Sequence, residues 1–328
     1  MKHLYLLFAT ILLLPHTLYA QSKPQFSMPL DCELGQNCWI GNYVDVDPAS
    51  DSHKDFKCGN KTYEGHKGTD FALRNRLDMK KGINVYAASD GKVLRTRDGE
   101  SDTIKTQHEY QTIKAANKDC GNGIILDHSN GLMTYYCHLK QGSIKVKTGE
   151  EVKEGDTIAQ VGQSGLAEFP HLHFTVIWEG GHIDPFTGLL KDDGCGKHKN
   201  SLWKDEIPYQ PYAHFDAGFS PKLPDFKSIH EQEKPTNIKA DTSDAFVFWA
   251  SFYQIEQGDK VTLKILDSNQ NIFIKRKIIQ EKNMGLQHYY TGRKLKNKVL
   301  QKGKYTGFVT IERTGHKPET HEYTINVQ

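Results

Sequence analysis

Two histidines separated by one residue begin a strand-like segment of the chain. Residues 170–173 are Pro-His-Leu-His, and a run of aromatic and β-branched residues follows them. In an extended strand the side chains at i and i+2 lie on the same face, about 7 Å apart along the strand. His171 and His173 are therefore expected to point into one space, where two imidazoles can serve a metal ion and its bound water. Taken alone, such a pair is more often structural than metal-binding.

A second cluster, Gly-His-Lys-Gly-Thr-Asp at residues 65–70, contains His66 and Asp70. Its two glycines disfavour a helix, but a tight turn into a strand can bring both side chains to one point. Two histidines and one aspartate with an open position for water are a usual arrangement for catalytic zinc, whereas structural zinc takes four ligands, generally with thiolates. An unligated histidine nearby can then take a proton or support an oxyanion. A lone His-x-x-x-Asp often arises by chance, but both clusters together, with His138 on a third strand, predict a metalloenzyme.

The composition is that of a globular protein. The chain has 328 residues, 37% of them hydrophobic and 25% charged, which excludes collagen-like, coiled-coil and wholly disordered chains and suggests about two domains. The formal net charge is +2. No block of like charge is present, so the basic stripe expected of a nucleic-acid-binding protein is missing and no nucleic-acid partner is predicted.

The first twenty residues are typical of a signal peptide. Lys2 precedes a largely apolar run of eleven residues, Leu4 to Leu14, and Ala20 offers a cleavage point. A membrane-spanning helix needs about 20 apolar residues, so this run is too short to span. No cysteine near Ala20 offers a site for a lipid, so we expect secretion and no membrane anchor in the mature chain. The alternative is an amphipathic or buried N-terminal helix.

Export permits disulfides, and the cysteine count is even. The cysteines are Cys32, Cys38, Cys58, Cys120, Cys137 and Cys195. Six cysteines allow 15 pairings. The β-rich runs 123–128 and 132–138 are separated by Ser-Asn-Gly, a hairpin signal that brings Cys120 near Cys137 and favours a bridge between them. Cysteine ligation of zinc is the alternative, but no C-x-x-C spacing is present.

Short strand-like runs punctuated by glycine dominate the rest of the chain, apart from a possible helix in the polar insert near 101–118. A proline-rich stretch separates two such regions, and the second predicts a small β-sandwich. The predicted divisions are 1–20, the signal peptide; 21–60, an N-terminal extension; 61–190, the histidine-bearing β domain; 191–235, a connector; and 236–328, a C-terminal β domain.

A family resemblance accompanies these patterns. The chain resembles the M23 zinc peptidases, which are lysostaphin-like or LytM-like peptidoglycan endopeptidases, in its histidines, in Asp70 and in its glycine framework. The resemblance lies in residues 65–93, 121–139 and 149–174. The similarity covers about residues 60–188. It implies a mainly β protein with an antiparallel β-sheet catalytic domain of the LytM/lysostaphin type, joined here to the smaller C-terminal β-sandwich-like domain.

The resemblance also implies roles for five residues. His66, Asp70 and His173 match the ligands of one Zn²⁺ per chain. His138 and His171 match two unligated catalytic histidines, a general base and a transition-state stabiliser, with the assignment between them open. The implied function is a secreted zinc metallo-endopeptidase that hydrolyses peptide bonds in peptidoglycan stems or cross-links through a zinc-activated water.

Two other functions remain open at this point. Some members of the family have lost ligands and only bind the cell wall or activate other hydrolases, although all five positions are present here. A zinc enzyme with a protein substrate is the third possibility. The insert at about 97–119, the cysteines and the C-terminal region depart from the simplest members and put substrate access in doubt. The signal peptide and cysteines favour the periplasm, where similar proteins usually cleave D-Ala–diaminopimelate cross-links. The oligomeric state is not predicted.

Overall fold

The computed structural model describes residues 25–241, 243–296 and 298–328. The predicted signal peptide, 1–20, lies outside them. The strands are β1 (Cys38–Asn42), β2 (Thr69–Leu73), β3 (Asn84–Tyr86), β4 (Gly91–Arg97), β5 (Asn122–Asp127), β6 (Leu132–Leu139), β7 (Glu151–Val152), β8 (Thr157–Gln160), β9 (His171–Trp178), β10 (Gly181–Asp184), β11 (Leu189–Leu190), β12 (Ala213–Ser220), β13 (Asn237–Ile238), β14 (Ala245–Ile255), β15 (Lys260–Leu266), β16 (Ile272–Ile279), β17 (Met284–Lys294), β18 (Gly303–Glu312) and β19 (Glu319–Val327). The helices are α1 (Arg76–Lys81), α2 (Gln107–Ala115), α3 (Phe226–Glu231) and a 3₁₀ turn at Lys191–Asp193.

The histidine-bearing domain is built on one antiparallel sheet. Its main strand order is β1-β2-β9-β6-β5-β4-β7, with β10 and β11 extending it beside β9. Most residues of β2, β6 and β9 are buried, as expected for central strands covered on both faces. The predicted mainly β, antiparallel class is confirmed. The hairpin predicted at Ser129-Asn130-Gly131 is also confirmed, and all three residues have positive φ there.

The N-terminal extension belongs to this sheet. β1 pairs with β2 at the edge, and Phe26 is fully buried in the domain core. The bridge predicted between Cys120 and Cys137 is confirmed. The remaining cysteines form the bridges Cys32–Cys38 and Cys58–Cys195, two pairings that the sequence alone did not predict.

The polar insert carries the helix that its sequence suggested. α2 begins with a capping box in which the Thr106 hydroxyl accepts from the Glu109 backbone N–H and the Glu109 carboxylate accepts from the Thr106 backbone N–H. None of the α2 residues is buried. The helix therefore lies on the surface of the domain and adds nothing to its core.

The C-terminal region is a two-sheet sandwich. A three-stranded sheet, β12-β14-β17, and a five-stranded sheet, β13-β19-β18-β15-β16, share one apolar core. Among the described strands of this sandwich, only β13 and β19 pair in parallel. β12 lies within residues 191–235, the predicted connector, and pairs along most of its length with β14. The boundaries between the predicted divisions stay predictions. In the described part of the chain, none of the helices has the length and apolar content needed to cross a bilayer.

Candidate zinc centre

Asp70 and His173 face each other across neighbouring strands. β2 and β9 are antiparallel, and Asp70 pairs directly with His173 while His171 pairs with Ala72. The Nδ1 atom of His173 lies 2.8 Å from Asp70 Oδ1. Because residues two apart in a strand share a face, His171 also points to this side, and its Nε2 lies 3.6 Å from the same oxygen. The sheet register therefore brings three of the predicted residues together.

His66 reaches the same point from the turn before β2. Gly65 has a φ of +73°, in the left-handed region that glycine adopts without a steric penalty, so the chain turns sharply there. His66 Nε2 lies 3.1 Å from Asp70 Oδ1 and 3.1 Å from His173 Nδ1. One atom each from His66, Asp70 and His173 thus forms a compact triangle, the arrangement that a metal site requires.

Outer hydrogen bonds orient these imidazoles. His66 Nδ1 donates to the carbonyl oxygen of Tyr43 at 2.6 Å, so Nε2 is the ring nitrogen that faces the triangle. His173 Nε2 lies 2.9 Å from Thr175 Oγ1, and a proton on Nε2 leaves Nδ1 facing inward. Partners on the far ring nitrogen are characteristic of metal-binding histidines.

The donor set fits zinc. Zinc takes nitrogen and carboxylate ligands at about 2.0–2.2 Å, so two ligand atoms of a tetrahedral site lie about 3.3 Å apart. The three separations here, 2.8, 3.1 and 3.1 Å, are close to that value. Within the residues that the structure describes, this is the only cluster of three such side chains with converging ligand atoms. Three protein ligands match a catalytic site better than a closed structural one.

A break in the strand pairing turns His138 toward the same region. β5 and β6 pair as Asn122 with Leu139 and Ile124 with Tyr136, which leaves an irregularity at the end of β6. His138 has a φ of 61° there, and its N–H donates to the Cys120 carbonyl at 2.8 Å. Bulges of this kind re-aim side chains near functional sites. The ring centroid of His138 lies 4.6 Å from that of His171 and 5.9 Å from that of His173.

His138 and His171 share one hydrogen-bonding pattern. His138 Nδ1 donates to the Ser164 carbonyl and His171 Nδ1 to the Phe169 carbonyl, each at 2.8 Å. Each ring thereby keeps Nε2 as its free acceptor. Burial is the main cause that lowers the pKa of both imidazoles, and for His138 the neighbouring histidines lower it further. Both rings are therefore neutral at neutral pH and can accept a proton.

Asp70 is ionised despite its burial. Removal from water raises the pKa of its carboxyl group, but the charge of the His66 imidazole and hydrogen bonds from His173 and His66 outweigh burial and hold the pKa well below its usual range. The second oxygen of Asp70, Oδ2, accepts from Asn42 Nδ2 at 2.7 Å. A charged carboxylate thus faces the two inward ring nitrogens.

Several contacts around the site were missed by sequence reasoning. These are Asn42, the carbonyls of Tyr43, Ser164 and Phe169, and Thr175. Backbone carbonyls leave no trace in residue identity, and no motif marks Asn42. The ring of Tyr63 lies 4.4 Å from that of His66 and is half exposed. Tyr63 therefore forms part of the surface beside the triangle.

Residues 64–185 match the sequence profile described as Peptidase family M23. The peptidoglycan DD-endopeptidase ShyA of Vibrio cholerae serotype O1 is 36% identical over 115 residues, 35% of this chain and 21% of that protein. ShyC of the same organism, also a peptidoglycan DD-endopeptidase, is 32% identical over 124 residues, 38% of this chain and 23% of that protein. The match thus spans about a fifth of the length of each relative.

Among solved structures, the catalytic domain of lysostaphin from Staphylococcus simulans is 26% identical. The alignment covers 37% of this chain and 77% of that domain, with a TM-score of 0.27.

Proposed function

We propose that this chain is a zinc-dependent endopeptidase that hydrolyses peptide bonds in peptidoglycan stems or cross-links, because residues 64–185 match the sequence profile of peptidase family M23. The observation that carries the proposal is the convergence of His66 Nε2, His173 Nδ1 and Asp70 Oδ1 within 3.1 Å of one another. His66, Asp70 and His173 are the residues that would hold the zinc ion.

Zinc at this position supplies Lewis-acid polarisation of a carbonyl group and acidification of water. The protein supplies the orientation. Tyr43 and Thr175 fix the rings of His66 and His173, so the ligand atoms need no rearrangement before the ion binds. The ionised carboxylate of Asp70 adds the negative charge that a divalent cation requires.

Proton transfer is assigned to His138 and His171. Each presents an unprotonated Nε2, because its Nδ1 proton is committed to a backbone carbonyl. One of them accepts the proton of the attacking water and returns it to the leaving amine. The other would first take up a proton from solvent at Nε2 and then donate it in a hydrogen bond to the oxyanion that develops on the scissile carbonyl. Which ring has which role stays open, since both make the same kind of contact.

The proposal also covers the peptide bond that is cleaved and the cell compartment in which the protein acts. The relatives' names, peptidoglycan DD-endopeptidase, favour a bond between D-centres of stem peptides, including the D-Ala–diaminopimelate cross-link. Three disulfides among the described residues support an oxidising compartment, and we place the mature chain in the periplasm after removal of residues 1–20.

The test uses purified sacculi. The chain without residues 1–20 is incubated with them in the presence of zinc, and the released muropeptides are separated. We expect loss of cross-linked species with wild-type protein and none with His173→Ala. Unchanged cross-linking together with no difference from the variant would contradict the proposal. A wild-type protein that purifies without zinc and releases nothing would instead support the activator function.

A further inference from the structure

The C-terminal sandwich contacts the M23-like domain beside the candidate zinc centre, on the face of the sheet that carries Asp70. A small apolar cluster joins Trp39 and Ala72 of the M23 sheet to Phe215 and Tyr253 of the sandwich. The Tyr253 hydroxyl donates to the Leu73 carbonyl at 3.1 Å. Since β2 carries both Ala72 and Asp70, the sandwich is fixed against the strand that presents the carboxylate.

The residue after Tyr253 extends toward the site. Gln254 has a φ of 53°, a conformation that costs a non-glycine residue roughly 1–2 kcal/mol. The regular pairing of β14 with β17 is interrupted between Tyr253 and Ile255. Strain of this kind persists where the surroundings hold it and is often found at functional sites. Here the Nε2 of Gln254 donates to the Oδ1 of Asn42.

Asn42 connects Gln254 to Asp70. It ends β1 opposite Asp70, after an irregularity in the pairing of β1 with β2, and only 6% of its surface is exposed. Its Nδ2 donates to Asp70 Oδ2 at 2.7 Å while its Oδ1 accepts from Gln254. An amide has one donor end and one acceptor end. The donor on Gln254 and the acceptor on Asp70 therefore hold the Asn42 amide in the same orientation, with its amino end facing the carboxylate.

The two oxygens of Asp70 have separate partners. Oδ1 faces His66 and His173, and Oδ2 accepts from Asn42. A hydrogen bond to the outer oxygen holds the plane of the carboxylate and leaves Oδ1 directed at the metal position. Without Gln254, the Asn42 amide loses one of the two contacts that hold its orientation, and any rotation that brings its carbonyl oxygen toward the carboxylate is repulsive.

We propose that Gln254 is a positioning residue that acts through Asn42 on Asp70, so that the C-terminal sandwich supports zinc binding by the M23 domain. This inference rests on the proposed function, because it takes Asp70 as a zinc ligand. It gives the C-terminal domain a role in zinc binding, because a hydrogen-bonded chain of three side chains connects that domain to the zinc ligand.

The experiment measures zinc affinity of the full mature chain by competition with a chromophoric chelator. Loss of an outer hydrogen bond to a metal ligand costs about 10–100-fold in affinity. We expect Asn42→Leu to weaken zinc binding by that factor and Gln254→Met by about tenfold. The double variant should bind no more weakly than Asn42→Leu alone, because both changes break one chain. Gln287→Met is the matched control, since Gln287 donates to the His288 carbonyl on β17 and should leave the affinity unchanged.

Wild-type affinity in Gln254→Met, or multiplicative losses in the double variant, would overturn the proposal. The unfolding midpoint of the metal-free variants, measured in parallel, separates positioning from loss of fold. If Gln254→Met does not fold, Gln254→Glu keeps the size but offers no donor, and the same tenfold loss is expected. A wild-type protein that binds zinc but releases no muropeptides would contradict only the proposed function, whereas one that binds no zinc would overturn both.

Discussion

His173 Nδ1 lies 2.8 Å from Asp70 Oδ1 because the two residues are directly paired across β2 and β9. The main-chain ladder of the sheet therefore fixes the distance between two of the three candidate ligands. Of these three residues, only His66 lies in a turn and not in a strand. A site anchored in this way is formed by folding of the sheet and needs no rearrangement of a loop to bring those two ligands together.

Removal of His173 should abolish metal binding and activity together. We expect about one zinc per wild-type chain, little zinc in His173→Ala, and a loss of hydrolysis of about 10³-fold, since a metal ion supplies several kcal/mol of transition-state stabilisation. Metal analysis and muropeptide release are the measurements. His182→Ala, which removes an imidazole from β10 outside the triangle, is the control and should retain both. Retention of zinc by His173→Ala would exclude the assigned ligand set.

The sequence predicted the structural features that depend on residues close together in the chain. The i, i+2 spacing placed His171 and His173 on one face, and the Ser-Asn-Gly turn predicted the hairpin that closes Cys120–Cys137. It did not predict Cys58–Cys195, whose partners are 137 residues apart, because tertiary structure alone brings them together. The chain from Gln254 through Asn42 to Asp70 was missed for the same reason, since it crosses between two domains and no spacing rule applies to it.

Loss of the His138 imidazole should slow the reaction without loss of the metal. His138→Asn is the informative change, because asparagine tolerates the positive φ found at this position. We expect kcat to fall by about 10²–10⁴-fold, the usual contribution of a general acid–base group. Zinc affinity and KM should change little. A fall in zinc affinity that accounts for the whole loss of activity would show that His138 acts on the metal site instead.

The Cys120–Cys137 bridge should affect both stability and activity. The two cysteines are 17 residues apart, and a loop of this length is worth roughly 3 kcal/mol of unfolding free energy. The Cys120 carbonyl also accepts from the His138 backbone N–H, so the double change to serine should reduce kcat as well. Replacement of Cys32 and Cys38, six residues apart at the other end of β1 from Asn42, is the matched control. It should cost roughly 2 kcal/mol and leave kcat unchanged. Equal kcat in the two double variants would contradict the link to His138.

His214 should make the stability of the C-terminal sandwich depend on pH. It is buried and contacts the Ser251 carbonyl and the Tyr323 hydroxyl, and burial, aided by His321, lowers its pKa to about 3. In the unfolded chain a histidine titrates near 6.5. Between those two values the unfolded state binds a proton that the folded state does not, so this contribution to stability is complete above pH 6.5 and is lost as the pH falls toward 3.

The corresponding variant is His214→Gln, which keeps a polar side chain and does not titrate. Urea unfolding of both proteins between pH 4.5 and 7.5 measures the slope of unfolding free energy against pH. Below pH 6.5 the wild-type slope should be steeper by up to about 1.4 kcal/mol per pH unit, the value for one proton. His230 and His288, whose pKa values burial lowers to about 3 and about 4, should leave a residual slope in the variant. Superimposable slopes would mean that His214 binds its proton equally in the folded and unfolded chain.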